Sequence, residues 1–399
     1  MAADEGKPGK GASDAARMAR QAENKARREA RRAERQQERA AEKSARQIRR
    51  REEKGRAAQP ETRAVSPATT QPAAFNILIL GQRGRLEREA AIFAASLRRN
   101  APDWQGQLIV AEPQPEGAWQ GVATRIQPPA REVLESLGAQ ILPFTARHFG
   151  RAYPYGNKIE ALALLPPGQP FIFFDSDTLV TGALDLAVDF DRPTASMQRE
   201  GSWPEPPPYG PGYAQIWRSL YDRFGLDFES SLDLSQPDEH WERYLYFNAG
   251  WFLGPDPAVF GQRFLEYALA VRDDPGDALA CQSLDPWLDQ VVLPLVVHSL
   301  GGGRPGPELA GLDGDLTCHY RNLSLLYARG SDQAIEIFEE IAAIPEISRI
   351  MQGDNAYDAL FRQRAGRDRL RPMFQGKRLP SREQVIRQML RRENLWFRR

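Results

Sequence analysis

The chain has 399 residues, 41% of them hydrophobic, enough to fill a sizeable core and more than one average domain needs. Its zero net charge is the sum of two opposite parts, because residues 1–63 hold 19 Lys or Arg against 11 Asp or Glu and the remainder holds 34 against 42. No window approaches the roughly 20 apolar residues of a spanning helix, the N-terminus is charged, and Cys281 and Cys318 lack a C-x-x-C partner, which excludes a disulfide framework and a zinc site and suits the cytoplasm.

The basic arm comes first. Met18 and Ile48 are its long apolar side chains, too far apart for a heptad seam, so a solvated helix or disorder is expected. Lys and Arg clusters attract phosphate, but Glu interleaves them and no aromatic residue precedes Phe75, so a platform for stacking bases is missing and a solubilising tail is the expected role. Residues 64–73, with Pro67 and Pro72 among Ser, Thr and Ala, read as a linker. The expected organisation is an arm with linker over 1–73, a folded domain over 74–330 and a helical extension over 331–399.

The domain opens with a strand over Phe75–Leu80, ended by Gly81, and a helix in which Ala90, Phe93, Ala94 and Leu97 recur at helical spacing. Strands at Leu108–Ala111 and Ile141–Phe144 flank a helix marked by Val133 and Leu137, and a further helix at Ile159–Leu164 precedes a fourth strand from Phe171. This alternation predicts an α/β fold whose parallel strands end along one edge.

That fourth strand, Phe171-Ile172-Phe173-Phe174, stops at Asp175-Ser176-Asp177-Thr178. Carboxylates at the carboxyl end of a buried strand lie where open α/β sheets bind ligands. Two so close repel unless a cation or protons intervene, and Mg²⁺ or Mn²⁺ commonly bridges such a pair to phosphates, which makes nucleotide diphosphates the natural guests.

The stretch Ser202–His240 is rich in Pro and in aromatics, including Trp203, Tyr209, Tyr213 and Trp217, and reads as an acceptor loop, a lid or a packed excursion. In Tyr246-Phe247-Asn248-Ala249-Gly250-Trp251 small residues interrupt an aromatic strand; Asn248 offers a donor and an acceptor to a hydroxyl, and Ala249 and Gly250 leave room for a sugar ring. Asp285-Pro286-Trp287-Leu288-Asp289-Gln290 then puts two acids before the apolar run Val291–Val297, with Asp285 a candidate helix cap. After Pro380, Ser381 and Gln384 in capping-box spacing open a basic amphipathic helix carrying Val385, Ile386, Met389 and Leu390, with Trp396 and Phe397 near its end. Such a helix docks on the domain or lies at the inner face of an anionic membrane, as would suit a lipid-linked acceptor.

The order of Phe-Asp-Ser-Asp, Phe-Asn-Ala-Gly and Asp-Gln before an apolar helix resembles the GT-A glycosyltransferases, most similarly the retaining enzymes related to glycogenin and the bacterial lipopolysaccharide hexosyltransferases, over roughly residues 74–325. The resemblance implies a Rossmann-type mixed sheet flanked by helices and metal-dependent sugar transfer from a nucleotide diphosphate donor, with a UDP-sugar as first guess. The acceptor it leaves open is a glycan, a lipid-linked glycan or a protein. Asp175 and Asp177 match the D-x-D motif, with Asp177 as the main ligand of Mn²⁺ or Mg²⁺ and His319 as the third. Lys158 matches a basic residue that touches the donor. The family's glycine and lysine after the histidine are absent, and Arg321 is the candidate to grip the diphosphate. In retaining transfer Asp289 and Asn248 would position the donor sugar; in inverting transfer Asp289 or Asp285 would be the base. A haloacid dehalogenase-type phosphatase also presents D-x-D after an apolar strand, though with different spacing, and a nucleic-acid-binding protein acting through the arm is the non-enzymatic alternative.

Overall fold

A computed structural model describes residues 74–198, 203–380 and 382–397; the basic arm, its linker, Ser202 and Ser381 lie outside them. Strand β1 (Asn76–Leu80) is apolar along most of its length because both its faces are covered: Ile77 and Ile79 enter one hydrophobic cluster, Leu78 and Leu80 the other. Strands β2 (Leu108–Pro113), β3 (Ala139–Phe144) and β4 (Phe171–Phe174) join it in parallel, with helices α1 (Arg85–Asn100) and α2 (Pro128–Ser136) as crossovers. Beyond β4 the pairing turns antiparallel through β7 (Asn248–Gly254) and β6 (Thr194–Ser196), which gives the order β3-β2-β1-β4-β7-β6. The sheet is therefore mixed, as the motif order implied. Strand β5 (Thr178–Val180) leaves this sheet and pairs only with β8 (Thr317–His319) in an antiparallel ribbon.

One face of the sheet is covered by helices α5 (Pro257–Asp273) and α6 (Leu288–Ser299); α6 is buried nearly all round, which explains its unbroken apolar run. Between β6 and β7 the chain makes the Pro-rich excursion with helix α4 (Tyr213–Arg223). Its Trp203, Trp217 and Tyr221 are buried in that same cluster, with the two tryptophan rings edge to face at 5.3 Å. Of the readings open for this stretch, the packed excursion describes Trp203 and Trp217, while Tyr209 stands in solvent.

The other face carries α1 and the C-terminal helices. Ile335 and Phe338 of α8 (Asp332–Ala342) and, beyond α9 (Pro345–Ile350), Ile386 and Leu390 of α10 (Glu383–Arg392) lie in one cluster with Phe93 and Phe174. Asn322, which caps α7 (Leu323–Arg329), donates its Nδ2 to the Phe397 carbonyl at 2.8 Å, and Ser324 Oγ donates to the Leu395 carbonyl at 2.7 Å. The final helix is thus docked, and the apolar face that would meet a membrane is occupied. Among the described residues no helix is long and apolar enough to cross a membrane.

Candidate active site

Strand β4 ends at Phe174, and the next backbone N–H, that of Asp175, donates to the Gly250 carbonyl of β7 at 2.8 Å. The chain passes through Asp177 straight into β5, whose Thr178 lies opposite His319 of β8; the Tyr320 N–H donates to the Asp177 carbonyl at 3.0 Å. This ribbon folds His319 back onto the acids, with Nε2 3.2 Å from Asp177 Oδ1 and 3.7 Å from Asp175 Oδ2. Ligand-capable atoms of Asp175, Asp177 and His319 all lie within 4.8 Å of one another.

The small residues of β7 border this cluster. A Cβ on Gly250 would stand 2.3 Å from His319 Nδ1, so the glycine makes room for the histidine ring. The Ala249 carbonyl accepts from Lys158 Nζ at 3.1 Å. Asn248, expected to meet a sugar hydroxyl, is hydrogen-bonded at both ends of its amide: Oδ1 accepts the Gly250 N–H at 2.8 Å and Nδ2 donates to the Gln198 carbonyl at 2.9 Å.

Lys158, on the short helix α3 (Asn157–Glu160), is buried, with Nζ 2.9 Å from Asp175 Oδ1 and 3.2 Å from Asp289 Oδ2. Burial alone would lower its pKa, but Asp175 and then Asp289 outweigh it and raise it, so Lys158 stays a cation. Asp289, at the start of α6, also accepts from the Tyr153 hydroxyl at 2.8 Å, and its N–H donates back to Tyr153 Oη at 3.0 Å. Burial, then Asp289, hold the Tyr153 phenol well above its ordinary value, so it remains the proton donor. A buried chain of Tyr153, Asp289 and Lys158 therefore ends on Asp175. On the far side of the pair, Arg85 at the start of α1 lies 3.7 Å from Asp177 Oδ2 and 2.6 Å from Glu89.

Lys158, Asp175, Asn248, Ala249, Asp289, His319 and Arg321 line one cavity of about 770 Å³, within the size range of ligand sites. Arg321, at a left-handed backbone φ of 57°, points its guanidinium at Glu383 Oε2 at the base of α10, 2.6 Å away. Asp285 is separated from the rest: it is exposed, does not line that cavity and does not cap α6, which begins at Leu288 with Trp287 in the N-cap position. Tyr153 and Arg85 went unforeseen. Arg85 follows the first strand within Gly81-Gln82-Arg83-Gly84-Arg85, a placement that points to phosphate chemistry; Tyr153 had no local signal.

The donor set suits a hard or borderline divalent ion: two carboxylates and an imidazole, with Asp175, Asp177, Asp289 and Glu89 against Lys158 and Arg85 leaving excess negative charge.

No curated protein matches this sequence. Among solved structures, an active-site mutant of LgtC is similar with 16% identity and a TM-score of 0.43, over 69% of this chain and 99% of that one. The bifunctional glycosyltransferase WbbM is similar with 14% identity and a TM-score of 0.41, over 72% of this chain and 52% of that one. GlyE of Streptococcus pneumoniae TIGR4 is similar with 11% identity and a TM-score of 0.36, over 72% of this chain and 65% of that one. The family model of the Rhodobacterales glycosyltransferase domain matches residues 77–301, more than half of the chain and every strand from β1 to β7. The glycosyltransferase resemblance read from the ordered motifs therefore holds against the phosphatase alternative, and the chain belongs to the Rhodobacterales glycosyltransferase domain family.

Proposed function

We propose that this glycosyltransferase moves a sugar from a nucleotide diphosphate donor, a UDP-sugar being the first to test, with Mn²⁺ or Mg²⁺ held by Asp175, Asp177 and His319. The observation that carries the reading is the convergence of these side chains, from β4 and a separate ribbon, within 4.8 Å at the carboxyl edge of the sheet. When bound, such a cation stabilises charge developing on the departing diphosphate. Lys158 fixes the Asp175 carboxylate and brings a permanent positive charge to the donor side of the cavity, while Arg85 stands beside Asp177 on the wall of a neighbouring cavity. Arg321, engaged by Glu383, serves the diphosphate less directly.

Asp289 favours a retaining outcome. Its carboxylate is 2% exposed and bonded to Tyr153 and Lys158, which fits a group that positions its neighbours rather than a base open to an acceptor hydroxyl. The catalytic unit in this reading spans 74–330, and the extension beyond it, over 331–399, completes the cavity through Glu383, Arg387, Arg391 and Trp396.

The test is thermal stabilisation by a panel of nucleotide sugars with and without Mn²⁺, repeated on Asp177→Asn. Mn²⁺-dependent stabilisation by one nucleotide sugar, with transfer falling about 10²–10³-fold in the variant, is expected. Stabilisation by no nucleotide sugar, or one indifferent to Mn²⁺ and to Asp177, refutes the reading.

A further inference from the structure

Two groups of side chains in the cavity have, apart from Arg321, no part in donor chemistry as described. The first surrounds Glu383, whose side chain is 3% exposed. Its Oε2 takes Arg321 at 2.6 Å and Arg329 at 3.0 Å, and its Oε1 takes Arg387 Nε at 2.7 Å. Arg387 and Arg391, one turn apart on α10, both lie over the Trp396 ring, at 5.3 and 5.8 Å. Three guanidiniums thus meet one carboxylate, Arg391 stands beside them on the Trp396 ring, and Arg321, Arg387 and Arg391 line the cavity. This wall sets three guanidiniums beside one carboxylate in a concave site, where field lines concentrate and anions collect. Guanidiniums stacked on an aromatic face keep their forked donors oriented for a phosphate.

The second group is aromatic. Tyr155 and Trp287 line the same cavity and are 47% and 38% exposed. They sit on segments tied together by Tyr153, whose ring lies 5.6 Å from that of Tyr155 and whose hydroxyl donates to the Pro286 carbonyl at 3.1 Å. Exposed rings on fixed backbone beside a cavity offer flat apolar faces of the kind a pyranose ring covers, and Trp203 and Trp217 of the Pro-rich excursion, being buried, do not compete for that role.

We infer that the acceptor is a phosphorylated glycan, its sugar lying on Tyr155 and Trp287 and its phosphate on Arg387 and Arg391. This rests on the glycosyl-transfer reading above. A bilayer headgroup would supply the same phosphate, but the apolar face of α10 that would accompany it into a membrane is buried through Ile386 and Leu390, so a phosphate carried by the acceptor into the cavity is the source that fits.

The experiment is calorimetric titration of the full chain, its donor site filled with UDP and Mn²⁺, by glucose 1-phosphate and galactose 1-phosphate, by their methyl glycosides and by inorganic phosphate. A sugar phosphate should bind at least about tenfold more tightly than either its methyl glycoside or phosphate alone, and Arg387→Gln/Arg391→Gln should remove that margin while stabilisation by UDP and Mn²⁺ persists. Arg391→Gln alone, at an exposed position, should remove part of it with an unchanged melting temperature, which separates ligand binding from a helix that fails to dock. Equal binding of phosphorylated and methyl sugars, or a margin untouched in both variants, overturns the inference. Loss of UDP–Mn²⁺ stabilisation in the arginine variants overturns it too, by assigning the wall to the donor. Arginine-dependent binding to phosphatidylglycerol vesicles without binding of any soluble sugar phosphate assigns the wall to lipid. Failure of UDP and Mn²⁺ to stabilise the unmodified protein sinks the donor reading separately and, with it, the acceptor role of this wall.

Discussion

Lys158 and Arg387 are cations lining one cavity, yet they are held in opposite ways. Lys158 is 4% exposed, clamped between Asp175 and Asp289 and roofed by the Phe173 ring at 5.3 Å. Arg387 is 38% exposed and shares Glu383 with two other arginines. Burying a charge is tolerable only where partners fully replace water, so the sheet side of the cavity is a rigid, interdependent ion network. The C-terminal side is wet, over-supplied with one charge, and anchored by apolar burial of Ile386 and Leu390 instead. One side is built to hold a fixed geometry at the D-x-D acids; the other keeps its charges available.

The sharpest way to break this comparison is to remove the sheet-side cation. Lys158→Met should lower stability in urea unfolding by about 3–5 kcal/mol, because it strands two carboxylates; a loss as small as that of an exposed ion pair would erase the distinction between the two sides. Since the folded pKa of Lys158 is raised, its contribution is fully present below its unfolded value of about 10.4 and is lost only as pH climbs past the folded value. The difference between wild type and variant should therefore be flat between about pH 6 and 9. Next in size is the anchor of the other side. Leu390→Ala, at a fully buried position, should cost about 2–5 kcal/mol while leaving Mn²⁺ affinity unchanged; a fall in Mn²⁺ affinity would show that the two sides are coupled. Gly250→Ala probes the geometry of the sheet side alone: the added Cβ displaces His319, and Mn²⁺ affinity should fall by about 10–100-fold with the fold intact. Wild-type affinity would detach His319 from the ion. The smallest effect belongs to Arg391→Gln, whose unfolding free energy should stay within about 0.5 kcal/mol of wild type, as expected of a solvated charge.

Much of the sheet side was legible in the residues. Four apolar side chains ending at Asp175 and Asp177 declare a buried strand with carboxylates at its exit, since no other element covers both faces of so short a run. The order of the three motifs carried the family. The partners of those motifs are harder to read: Gly250 reads as room for a ligand, with nothing nearby in the sequence to show the His319 ring beside it, and Lys158 reads as an ordinary helix lysine until Asp289, far along the chain, is seen beside it.

What the sequence by itself determined is local and periodic: the alternation of strands and helices, the D-x-D exit of β4 and the apolar run of α6, because backbone periodicity and turn chemistry act over a few residues. Only the tertiary structure decided which of the aromatics are core and which face the cavity, that Asp285 stands apart from Asp289, and that Glu383 gathers arginines from three segments. Burial and charge pairing belong to side chains brought together across long loops, and no pattern within a single segment records them.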